Sequence, residues 1–212
     1  MNLSFDEYGA LVAKAFRGAG YPWGLTEDAS WAARRLAEVD ETSPEVVLDL
    51  LAAQSLGKGV AGMPNADWST NDAALCPICV GTAILDSRTA DVTLGPVYAP
   101  ELLTPFLIQL LGSDPQKSDA KFGEIRWETG GCIVSAQKIS RVGSRTTIAG
   151  QVQISMRVDL PAGRRWGSDT SFGRVILETN QLEQLERLAH RIYAPATNES
   201  RSGAGAGSTD ND

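Results

Sequence analysis

Between Phe122 and Val158 apolar and polar side chains alternate, and an antiparallel sheet is the structure that satisfies such a pattern. Phe122, Ile125 and Trp127 are separated by Glu124, Arg126 and Glu128. Further on, Ile148, Val152, Ile154, Met156 and Val158 alternate with Thr147, Gln151, Gln153, Ser155 and Arg157. Successive side chains of a strand point to opposite faces, so the segment gains one dry and one wetter face. Thr129-Gly130-Gly131 supplies a hairpin turn, Cys132 to Ile139 pairs back, and Gly143-Ser144 makes a second turn before one long strand.

Upstream the apolar period is helical. Ser4-Phe5-Asp6-Glu7 is a capping box, and Tyr8, Leu11, Val12, Ala15 and Phe16 follow at three- and four-residue steps. Gly18-Ala19-Gly20-Tyr21-Pro22-Trp23-Gly24 ends that helix in a turn. Thr26-Glu27-Asp28 opens a second helix with Trp31, Ala32, Leu36 and Val39 on its buried side, and Ser43-Pro44-Glu45 opens a third. Residues 57–73 read as a connecting loop. Val80 to Leu85, Asp86 to Thr89 and Asp91 to Leu94 read as strand, turn and strand. Pro100-Glu101 starts a buried helix through Leu111, stopped by Gly112 to Ser118. After a loop at Pro161 to Ser171 come a short strand, Arg174 to Leu177, and a helix opened by Asn180-Gln181-Leu182-Glu183. The expected fold is α+β, with an N-terminal helical portion packed with a mainly antiparallel sheet and two further helices. The expected organisation is a helical portion over residues 1–57, a sheet portion over 58–195 and a disordered tail over 196–212, which is nearly without apolar side chains.

Charge and composition exclude several functions. Nineteen Lys and Arg against 26 Asp and Glu leave a net charge of −7 without a basic run, which disfavours a nucleic-acid partner. The longest apolar stretch, Leu102 to Leu111, is about half of a membrane span, so no membrane role is expected. Acidic residues near the N-terminus, with no apolar region behind them, point to the cytoplasm. Three cysteines cannot all pair in one chain, which fits a reducing compartment.

Three segments carry a family likeness: Arg17-Gly18-Ala19-Gly20-Tyr21-Pro22-Trp23-Gly24-Leu25-Thr26-Glu27-Asp28-Ala29, Leu75-Cys76-Pro77-Ile78, and Ala99-Pro100-Glu101-Leu102-Leu103-Thr104-Pro105-Phe106-Leu107. With them the chain resembles a family of bacterial proteins known only as a domain of unknown function. The resemblance spans nearly the whole ordered chain and implies a bacterial, cytoplasmic protein with no established reaction to inherit.

Two groupings are candidates for chemistry. Arg17, Gly18, Gly20, Tyr21 and Trp23 gather amide donors, a cation and aromatic faces before a helix start, and Arg164, Arg165 and Arg174 lie on a second Gly-punctuated segment. Together they would suit a small anionic metabolite, since helix N-termini and arginine forks both hold carboxylates and phosphates. Read structurally, Tyr21 and Trp23 plug the core and the arginines pair with the acidic surface. The second grouping is Cys76-Pro77-Ile78-Cys79, whose spacing lets two sulfurs reach one metal or form a disulfide, with Cys76 as a candidate nucleophile. Cys132 and His190 are the remaining soft donors and do not complete a zinc motif, so no metal is expected. A strand after Cys79 would leave the thiols without an activating helix terminus, and buried inert thiols are the competing reading. Glu27 and Asp28 read as first-turn acids complementing the helix dipole. No phosphate loop, nucleophile elbow or zinc-protease motif occurs, and no cofactor is expected. The sequence favours a non-catalytic accessory or small-anion-binding protein, with a metabolite or protein as partner. The alternative is a small-molecule metabolic enzyme using the Arg and Cys groups in a shared pocket. The oligomeric state is not encoded in any pattern above.

Overall fold

The computed structural model describes residues 1–55, 64–69, 74–89, 91–113, 122–135, 139–157 and 173–193. The expected loop at Pro161 to Ser171 and the tail after residue 196 lie outside the described residues, as does most of 57–73. The fold is α+β.

Helix α1, Phe5–Gly18, begins at the expected capping box: the Glu7 amide donates to Ser4 Oγ (3.2 Å) and the Ser4 amide to Glu7 Oε2 (2.8 Å). Its apolar stripe, Tyr8, Val12, Ala15 and Phe16, is buried. Helix α2, Trp23–Ala37, starts earlier than Thr26, because Pro22 is already extended as N-cap and the Thr26 hydroxyl donates back to its carbonyl (3.0 Å). Glu27 and Asp28 are therefore not in the first turn, and the dipole account of them is corrected. Helix α3, Ser43–Ser55, follows a turn in which Asp40 Oδ1 accepts from the Thr42 amide (2.9 Å).

The segment expected as a strand at Val80 to Leu85 lies instead within helix α4, Pro77–Ser87, which ends in the left-handed Arg88 at φ 52°. The misreading has a physical cause. Ile78 and Cys79 pack into a core with α1, α2 and α3, while Val80 and Ile84 pack into a second core beneath the sheet. A helix buried on two sides presents a continuous apolar run, which periodicity cannot tell from a buried strand. Pro77, at the first helical position, was the available signal. A third helix thus joins the two expected beyond the N-terminal portion: a 3-10 turn, Pro100–Leu103, runs into α5, Thr104–Ser113, and α6 spans Thr179–His190. The α6 cap is Glu178, earlier than expected, and forms a box with Gln181.

The described strands are β1 Asn2–Leu3, β2 Val92–Leu94, β3 Val97–Tyr98, β4 Phe122–Trp127, β5 Gly130–Val134, β6 Ile139–Gly143, β7 Ile148–Ala149, β8 Val152–Arg157 and β9 Val175–Ile176. Five form one antiparallel sheet in the order β2-β8-β4-β5-β6, with Ile125 opposite both Cys132 and Ile154. The single long strand expected from Thr147 is broken at Gly150-Gln151, so that β7 pairs with β3 while β8 pairs with β2 and β4. Strand β9 pairs with β1, and α6 packs along α1, so these C-terminal elements close onto the N-terminal helices.

Candidate functional site

The turn between α1 and α2 is tight because Gly20 takes φ +96°, a conformation that L side chains rarely adopt. It turns Tyr21 inward: the Tyr21 amide donates to the Phe16 carbonyl (3.1 Å), and the two rings meet edge to face at 4.8 Å. Trp23 goes the other way and is 67% exposed, so it plugs no core. Arg17 is committed locally. Its Nη1 donates to the Tyr21 carbonyl (3.3 Å) and its guanidinium lies 4.4 Å from the centre of the Trp23 ring. A Cβ on Gly18 would stand 1.8 Å from the Leu188 carbonyl oxygen, so this glycine serves the close approach of α6 to α1. Gly24 faces open space in the first turn of α2.

Arg174 stands elsewhere. It precedes β9, its charge is felt by Glu7 at the start of α1, and it lines a groove with Asp40, Glu41, Glu45 and Glu178. Gly18 is at the far end of α1, about 20 Å away along a helix of this length. Arg164 and Arg165 lie outside the described residues.

The Tyr21 side chain leads to the second grouping. Its hydroxyl lies 3.5 Å from Cys76 Sγ, joining two segments 55 residues apart. Cys76 is the N-cap of α4, Pro77 opens the helix and Cys79 falls in its first turn. Backbone bonds on the facing strand fix the approach: the Leu75 amide donates to the Pro96 carbonyl (2.6 Å) and the Tyr98 amide to the Leu75 carbonyl (3.1 Å). The two sulfurs therefore sit at a helix entrance, where amide hydrogens and the helix dipole favour a thiolate.

Burial alone would raise the Cys76 thiol. The Cys79 thiol and amide, the Tyr21 hydroxyl and the Ile78 amide outweigh it and bring Cys76 down to about 7, although its sulfur closes no formal cap hydrogen bond. The same proximity pushes Cys79 up, first because it serves Cys76 as a hydrogen-bond donor, then through burial and the charges of Cys76 and Asp28. Tyr21 is also pushed up, chiefly by burial. The pair thus sets one sulfur whose thiolate is favoured beside one that keeps its proton. It is almost closed to solvent, Cys76 being 1% and Cys79 3% exposed.

Cys132 belongs to β5 and the second core, where burial, then the charge of Glu101, pushes its thiol up to about 12. No group of three or more His, Cys, Asp or Glu among the described residues is placed to hold a metal ion. A second polar feature went unread in the sequence. Glu101 is 1% exposed, and neither of its carboxyl oxygens finds a hydrogen-bond partner among the described residues. In the sequence it reads only as the acid after a helix-opening proline. Asp28 is held over α4 by the Thr82 hydroxyl, 3.3 Å from Asp28 Oδ2.

Fold and site together define an α+β protein with a buried Cys-X-X-Cys pair at a helix entrance. Residues 3–47 match a family described as Protein of unknown function (DUF3726). That match takes in the turn from Arg17 to Gly24 and stops short of the dithiol. No curated protein and no solved structure matches the chain. No described helix is long and apolar enough to cross a membrane.

Proposed function

We propose that the protein is a redox-responsive accessory protein of the bacterial cytoplasm, whose Cys76–Cys79 dithiol is oxidised by a small hydroperoxide and reduced again by a cellular thiol. The observation that carries this reading is the placement of both cysteines in the entrance of α4 with the Tyr21 hydroxyl against Cys76. Three free cysteines suit a reducing compartment. The near-complete burial of both sulfurs favours an oxidant little larger than water over a bulky disulfide. The small-anion reading draws less support, since Arg17 is already engaged and Arg174 stands at the other end of α1.

The chemistry balances within the pair and its two co-substrates. The Cys76 thiolate attacks the peroxide, forming a sulfenic acid and releasing an alkoxide that takes a proton from water. The Cys79 sulfur then attacks the Cys76 sulfur, a disulfide forms, and the displaced hydroxide leaves as water with the Cys79 proton. Two equivalents of a low-molecular-weight thiol return the pair to dithiol and become a disulfide themselves.

Treating the full chain with hydrogen peroxide and digesting it should give one cross-linked peptide containing Cys76 and Cys79, reversed by dithiothreitol and absent in Cys76→Ser. Peroxide consumption leaving both thiols free, or the cross-link appearing only after denaturation, would remove the proposal.

A further inference from the structure

The dithiol reading leaves one proton to be moved. Cys79 carries it, and its sulfur becomes a nucleophile only when that proton departs. Cys79 and Thr82 stand three residues apart on α4 and share one side of the helix, as does Asp86 one turn beyond. That side is met by Asp28 of α2, whose Oδ2 lies 3.3 Å from the Thr82 hydroxyl, while the same hydroxyl is anchored on the Ile78 carbonyl at 2.9 Å. Asp28 is close enough for its charge to be felt at Cys79, and it is half-buried, with an edge open to solvent.

We infer that Asp28 accepts the Cys79 proton while the Cys79 sulfur closes the disulfide on oxidised Cys76, and that Thr82 positions its carboxylate for this; the inference rests on the dithiol reading. The O–H bond formed on Asp28 replaces the S–H bond of Cys79, the S–S bond replaces the S–O bond of the sulfenic acid, and the expelled hydroxide takes the proton from Asp28 to leave as water. Asp28 ends the cycle ionised, as it began.

The surroundings of Asp28 suit an acceptor. Partial burial first, then the negative charges of Asp86 on α4 and Glu27 on its own helix, raise its carboxyl above the ordinary carboxylate range, and the Thr82 hydrogen bond opposes them. A more basic carboxylate is a better acceptor for a thiol proton. The other titratable groups beside Cys79 are Cys76 and, against the Cys76 sulfur, Tyr21.

The test is a single-turnover oxidation of the full chain with hydrogen peroxide, with samples acid-quenched at successive times and the Cys76 sulfenic acid and the disulfide told apart by mass, since the buried sulfurs admit no bulky trapping reagent. Asp28→Asn is expected to slow disulfide closure about tenfold or more, a fraction of the effect typical of a positioned base. Sulfenic acid should accumulate at Cys76 in that variant, and the initial loss of the Cys76 thiol should keep its normal rate. The inflection that Asp28 gives the pH profile of closure should vanish, Asp28→Glu should restore part of the rate, and Thr82→Val should shift the profile without abolishing it. Closure in Asp28→Asn at the normal rate with an unchanged pH profile would overturn the inference and leave the dithiol reading standing. Failure of the unaltered protein to form either sulfenic acid or disulfide would overturn both.

Discussion

Cys76 is held between opposing effects that leave its thiol near 7, so changes in its surroundings decide whether its sulfur is charged at neutral pH. Burial disfavours the thiolate, whereas four hydrogen-bonding groups favour it: the Cys79 thiol and amide and the Ile78 amide at the helix entrance, and the Tyr21 hydroxyl. Of these groups the Tyr21 hydroxyl alone comes from another part of the chain, at 3.5 Å. Tyr21→Phe keeps the ring against Phe16 and deletes the donor. The Cys76 thiol, near 7 in the intact protein, is then expected to rise, and the fraction of thiolate at pH 7 to fall several-fold. A pH titration of thiolate absorbance would check this, and an unchanged curve would show that the α4 entrance alone sets the charge.

At the scale of elements, the α1–α6 contact depends on a missing side chain. A Cβ at position 18 would meet the Leu188 carbonyl oxygen at 1.8 Å and its carbon at 2.8 Å, and backbone cannot rotate away as a side chain can. Exposed helical glycine replaced by alanine gains about 1 kcal/mol of helix propensity, whereas overpacking costs about 1–3 kcal/mol. With a backbone clash this short the second effect wins. Gly18→Ala should therefore lower the urea midpoint, and a raised midpoint would mean that the two helices separate freely. The glycines around Tyr21 were legible in the sequence as a turn, but the neighbour that makes Gly18 necessary lies 170 residues away. Elements with a local code were the readable ones. The capping box at Ser4 and Glu7 and the alternation in β4 and β8 each announce their structure within a few residues. Helix α4 failed because its two buried faces erase the period, and that failure hid the activating helix entrance at Cys76. The contacts that build the candidate site, Tyr21 to Cys76 and Thr82 to Asp28, join distant segments. Packing creates them, so spacing could not show them.

The helical layer and the sheet are tied by ions around a buried carboxyl, Glu101, whose oxygens find no hydrogen-bond partner among the described residues. Arg141 of β6 binds Asp40 and donates to Thr42 Oγ1 (2.9 Å), and Arg145 binds Glu45 and, at 2.5 Å, Asp49 of α3. Glu101 lies among these groups. Burial raises its carboxyl, its own nearby backbone amide and then the positive charges of Arg141 and Arg145 oppose the rise, and Asp40 adds to it. A carboxyl whose pKa is higher folded than unfolded binds its proton more tightly in the native state. Its contribution is therefore complete below the unfolded value of about 4.3 and falls as pH climbs through that value toward the raised one. Glu101→Gln keeps the shape and removes the titration. The variant should lose less stability than the parent as pH rises from about 4 toward neutrality. Glu7, held low first by the Ser4 amide, shifts the opposite way in both proteins, and Asp28 shifts upward in both, so each cancels in the difference. Denaturation midpoints of the two proteins across that range are the measurement. Curves running parallel would mean that the arginines, rather than a retained proton, neutralise Glu101. Converging at low pH and separating above it, they would show that the layer joint is held by a neutral carboxyl and loosens as that group ionises.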